Sequence, residues 1–199
     1  MTIWFRRALV LPGLAAGLLI WTSALAQQGW DQAPSGSSSK GLGSKPEHED
    51  IYTRAMDFKQ KGQYSDAMPL LEAMAIQGHG FEVAQLELGK CYFDLARQAT
   101  TPDAIAHNRT LGYSWILTSA NEGFGLAQQE LVRLYLDGPG VPIDRVEAAK
   151  WYLLWRRNPS RMQIGSSQFD VALETKLKAL ARPADWKDAQ TRADQFHAY

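Results

Sequence analysis

Cysteine is almost absent. Cys91 is the only thiol in 199 residues, so no intramolecular disulfide can form and no covalent staple holds the fold. No His, Lys or Asp motif surrounds Cys91, which favours a small buried residue over a reactive thiol or an intermolecular bridge. Histidine is scarce as well. His48, His79, His107 and His197 fall in different elements without metal-ligand spacing, and the chain is expected to hold no metal and no cofactor. Charge of one sign is missing: 21 Lys and Arg stand against 21 Asp and Glu. That balance excludes the basic excess expected of a nucleic-acid binder. No Gly-x-Ser-x-Gly or Ser-x-x-Lys motif occurs, so a serine nucleophile has no signature here. Gly138-x-Gly140 is too short to cradle phosphate, and Pro139 and Pro142 remove donors from that loop. Asp137 and Asp144 flank the loop but lack the alternating oxygen ligands of a calcium site. No catalytic residue is therefore expected.

Long apolar runs are also missing, with one exception. Ala8 to Trp21 is apolar but too short for a comfortable membrane span. Arg6-Arg7 precede it and Ala24-Leu25-Ala26 follow. This pattern predicts a secretory signal peptide over residues 1–26, cleaved after Ala26, and hence a periplasmic or secreted protein. A membrane is expected as a partner only if that segment stays as an anchor. Residues 27–48 are rich in Gly, Ser and Pro and read as a flexible linker.

What is present is helical periodicity. Ile51, Ala55 and Phe58 share one helix face, with acidic residues ahead of them. Ser65 is the expected N-cap of a second helix, with Pro69 near its first turn and Leu70, Leu71, Met74 and Ala75 as its packing face. A third helix is predicted from Phe81 to about Ala96, followed by a loop over residues 97–110 with at most a short turn near Ala104–His107. Helices are then expected over residues 111–121, 126–136 and 146–156. Asp144 stands at an N-cap position with Glu147 three residues on, as in a capping box. After Pro159, Phe169, Ala172, Leu173, Leu177, Leu180 and Ala181 keep helical spacing. Pro183 then separates them from a last face of Trp186, Ala189, Ala193 and Phe196.

The pattern repeats. Ala84, Gln85, Leu88 and Tyr92 match Ala127, Gln128, Leu131 and Tyr135, and Gly112 and Trp115 match Ala148 and Trp151. Such self-similarity points to stacked helical units, none of which can bury its apolar face alone.

At these residues the chain resembles the Sel-one-like repeat (SLR) family, close to the tetratricopeptide (TPR) repeat. Ala127, Leu131, Tyr135, Gly138, Gly140, Val141, Asp144, Ala148, Trp151 and Tyr152 fit its pattern. Val132 stands where the family has glycine, and Trp155 to Pro159 replace the usual ending. The resemblance implies an all-α, right-handed α-solenoid of antiparallel helix pairs over residues 49–158, closed by a capping pair in residues 159–199. It also implies a non-catalytic scaffold or adaptor of the bacterial envelope that binds a protein or peptide in a concave groove. By analogy with TPR proteins, Tyr52, Lys59, Lys90, Phe93, Gln129 and Arg133 would line that groove. Two alternatives stand beside this. One is an envelope hydrolase acting on cell-wall or β-lactam substrates, as claimed for cysteine-rich relatives. The other is a subunit that self-associates through Cys91 or its terminal helices.

Overall fold

Most of the apolar faces identified above are buried against another helix. The computed structural model describes residues 46–138, 140–162 and 168–197. Those residues form eight α-helices and one short 3-10 turn, with no strand among them. In order they are α1 (Pro46–Gln60), α2 (Tyr64–Ala75), α3 (Glu82–Gln98), α4 (Pro102–Asn121), α5 (Gly125–Asp137), α6 (Arg145–Arg157), the turn Pro159–Met162, α7 (Val171–Leu180) and α8 (Pro183–Asp194). The expected signal segment, residues 1–26, lies outside the described residues, as does most of the expected linker. No described helix is long and apolar enough to cross a membrane.

Helices α1 to α5 each pack mainly on their neighbours in sequence, and α6 packs about equally on α5 and α8. Two adjoining cores result. One gathers Ala55, Leu71, Met74, Phe81, Ala84, Leu88 and Cys91. The other runs from Leu86 and Ile116 through Leu131 and Trp151 to Leu177 and Ala189. The repeat-equivalent residues Ala84 and Ala127, and Leu88 and Leu131, are all fully buried.

Several expectations need correction. The linker does not reach residue 48. Helix α1 starts at Pro46, and the buried His48 ring meets Phe81 edge-on at 5.1 Å. Ser65 is not the N-cap of α2. Gln63 holds that position without a side-chain cap, and Pro69 lies inside the helix on an exposed face. Residues 97–110 are mostly helix. Thr101 caps α4 by accepting a hydrogen bond from the Ala104 N–H, and Pro102 follows at the first helical position, where its missing N–H costs nothing. Asp144 does cap α6, accepting from the N–H groups of Val146 and Glu147. The reciprocal half of the box is absent. Glu147 turns instead to Lys150 at 2.6 Å and Arg192 at 2.7 Å, and the Asp144 N–H donates to the Tyr135 carbonyl. At the C-terminus α8 packs along α6, while α7 touches α5 and α6 only lightly. The two make little contact with each other, so they are not a packed pair. Ala172 and Leu180 are exposed, and Leu173 and Leu177 alone anchor α7.

The tightest crossing is that of α3 on α4. A Cβ at Gly89 would lie 2.6 Å from Ile116 Cγ1 and 2.8 Å from the Gly112 carbonyl oxygen, and a Cβ at Gly112 would lie 2.8 Å from the Gly89 carbonyl oxygen. The two backbones touch because both residues lack side chains. In the second copy the equivalent positions hold Val132 and Ala148, both fully buried. Gly89→Val, which imports the second copy's residue, overpacks a backbone contact and is expected to cost about 3 kcal/mol. An unchanged midpoint in urea unfolding would show that the two helices are not this close.

Candidate functional site

Helices α1, α3, α4 and α5 enclose a cleft of about 420 Å³. Its lining includes Lys59 from α1, then Lys90, Phe93, Asp94, Ala96 and Arg97 from α3. Arg109 of α4 and Glu130, Arg133, Leu134 and Asp137 of α5 complete it. The floor is apolar: Phe93, Ala96 and Leu134 are buried. The Phe93 ring is held against α4 at Gly112, where an added Cβ would come within 2.9 Å of it. The rim is cationic.

Most of those cations are already matched. Glu87, only 8% exposed, lies between two of them. It accepts hydrogen bonds from Lys59 and, at 2.8 Å, from Lys90. Burial pushes the Glu87 carboxyl up, but Lys90 and Lys59 more than offset this and hold it below its ordinary value. Arg97 pairs with Asp94. Arg133 meets Glu130 at 3.0 Å and Asp170 at 3.4 Å, and Asp137 pairs with Lys176. Two positive charges remain. The Lys59–Glu87–Lys90 cluster keeps one. Arg109 is the other, for it has no carboxylate partner among the described residues. Its methylene stem is clamped against the turn before α6, since a Cβ at Gly140 would lie 2.6 Å from Arg109 Cβ. Gly140 has φ of +95°, a conformation that also disfavours any side chain.

The six residues expected to share a groove divide. Lys59, Lys90, Phe93 and Arg133 line this cleft. Tyr52 does not: it is half-buried on α1, its hydroxyl pushed up to about 12 by burial and then by the nearby Glu87 carboxylate. Gln129 does not either. It is 8% exposed, and its amide oxygen accepts from the Asp170 N–H at 3.1 Å while its amide nitrogen donates to the Gln168 carbonyl. It fastens the chain ahead of α7 to α5. Arg97 and Arg109 escaped the sequence reading because they fall in the stretch taken for a loop. The Thr101-Pro102-Asp103 start signal could have revealed them.

The cleft is lined by charged and apolar side chains, with no cysteine or histidine among them. Cys91 is fully buried, and burial pushes its thiol up to about 11. It is therefore neither an activated nucleophile nor available for an intermolecular bridge. At the other end of α3 the structure gathers His79, Glu82 and Glu122, with one potential ligand atom from each within 4.8 Å of the others. His79 and Glu82 are near neighbours in sequence, whereas Glu122 comes from the far end of α4. No protein family, no curated protein and no solved structure matches the chain.

Glu87→Gln should lower stability by about 1–3 kcal/mol at neutral pH, because it leaves two lysines facing a neutral amide. The Glu87 contribution is fully present above the unfolded carboxyl value of 4.5 and is lost as pH falls through the lower folded value. Denaturant midpoints measured across acid pH should fall less steeply in the variant than in the wild type.

Proposed function

We propose that this protein is an exported, non-catalytic scaffold or adaptor of the bacterial cell envelope, an α-solenoid of SLR/TPR type. Its cleft takes a partner segment that places a carboxylate beside an apolar side chain. The observation that carries this reading is the Arg109 guanidinium, without a carboxylate partner among the described residues, beside a floor of Phe93, Ala96 and Leu134. A cation set at the edge of an apolar surface recognises both features at once, and a charge-assisted hydrogen bond there is worth about 1.5–3 kcal/mol. The cleft volume of about 420 Å³ suits an anchor of a few side chains, not a whole domain. Successive packing of α1 to α6 and the matched burial of the two copies support the solenoid reading. The charge pattern of residues 1–26 supports export. The internal pairing of Lys90 and Arg133 moves the anchoring role from those two residues to Arg109.

The test is a crosslinked pull-down of C-terminally tagged protein from the envelope of its native host, with Arg109→Glu beside the wild type. One envelope protein should be enriched by the wild type and lost with the variant. A labelled segment of that partner should then bind Arg109→Ala at least about tenfold more weakly by fluorescence anisotropy. Recovery of the same set by both forms would remove Arg109 and the cleft from the account. Turnover of a cell-wall fragment or a β-lactam by the pure protein would replace the scaffold with an enzyme.

A further inference from the structure

The two repeat copies end their helix junctions with different chemistry. In the second copy the buried Gln128 donates its amide N–H to the Ala120 carbonyl at the end of α4. Its amide oxygen accepts from Asn158 Nδ2 at 3.1 Å, and Asn158 also donates to the Gly123 carbonyl. Every polar atom named there has a partner.

In the first copy Gln85 stands where Gln128 does, 1% exposed, and donates to the Ala75 carbonyl at the end of α2. The residue equivalent to Asn158 is Glu122. A carboxylate cannot donate. Gln85 turns its Nε2 towards both Glu122 oxygens at 3.2 Å, and its Oε1 is left buried with no hydrogen-bond partner. An orphaned buried acceptor is costly enough to require an explanation. A second carboxylate stands beside the first. Glu82, its side chain 10% exposed, lies 3.0 Å from His79 Nδ1 and accepts from the Gly80 N–H at 2.9 Å. Among the described residues neither Glu82 nor Glu122 is met by a Lys or Arg. Two close carboxylates repel unless a cation joins them.

We propose that His79, Glu82 and Glu122 bind one divalent transition-metal ion of the zinc class, joining the turn after α2 to the end of α4. One imidazole and two carboxylates form a nitrogen and oxygen donor set that suits zinc, whereas an imidazole disfavours calcium and magnesium. Metal bonds of about 2.0–2.2 Å place tetrahedral donors about 3.4 Å apart. The His79–Glu82 separation of 3.0 Å is close to that, and the three donors lie within 4.8 Å of one another. His79 is exposed and free to close the remainder. A cation here would neutralise the Glu122 carboxylate that Gln85 meets, so metal would close the first junction where Asn158 closes the second. Glu82 starts α3 and the cleft residues of that helix begin about two turns later at Lys90, so this site and the proposed cleft share no residue and can fail separately.

The experiment uses the full chain, stripped with a chelator and titrated with zinc(II), with cobalt(II) absorption reporting ligand geometry. One zinc per chain is expected, with a rise in Tm of about 5 °C at saturation. His79→Ala and Glu122→Asn should each weaken zinc binding by at least about tenfold and abolish the Tm rise. Glu122→Asn copies the second junction, so it should fold and be at least as stable as the metal-free wild type. His107→Ala should leave binding unchanged. Absence of stoichiometric binding, or binding that both variants leave intact, would overturn the proposal.

Discussion

The contact of Gly89 with Gly112 is the constraint on which the rest depends. It lets α3 and α4 cross backbone to backbone. That closeness seats the Phe93 ring against α4 and makes it the floor of the cleft. It also brings the end of α4 to the start of α3, where Ser119 Oγ donates to the Glu82 carbonyl at 2.7 Å and Glu122 reaches Gln85. Helix α3 is the hub. It carries Glu82 and Gln85 at one end, Glu87 and Lys90 in the middle, and Phe93 and Arg97 at the other. Side chains at the crossing would push both ends of α3 out of register with α4.

A chain with no net charge can still present charge locally. It does so by burying a carboxylate beneath two lysines and pairing most of the remaining cations on the cleft rim. Exposed pairs of this kind add little stability, but they remove competing sites. Arg109 is left without a carboxylate partner among the described residues. Its position depends on Gly140, whose missing side chain lets the turn before α6 grip the arginine stem.

Repetition supplied the frame, and divergence within it supplied chemistry. Equivalent glutamines, Gln85 and Gln128, each hold the carbonyl end of the preceding helix. One amide is completed by an asparagine and the other is confronted by a glutamate. The same position thus holds an amide in one copy and a carboxylate in the other. The same logic separates Gly89 from Val132: a close crossing in one copy, a filled one in the next.

Local order was legible from residues alone. The 3.6-residue spacing marked α3, α5 and α6 to within two residues, because an apolar stripe repeats within a single helix and needs no partner to be seen. Asp144 as a cap and Cys91 as a buried residue were legible for the same reason. The start of α4 was present in Thr101-Pro102, but weak apolar periodicity over residues 102–110 hid it. Only the tertiary structure decided which polar side chains are already partnered. Glu87 takes up Lys90, Glu130 and Asp170 take up Arg133, and the chain ahead of α7 takes up Gln129. It also decided that His79, Glu82 and Glu122 meet. Those outcomes depend on how helices distant in sequence are rotated and spaced, which a periodic stripe does not encode.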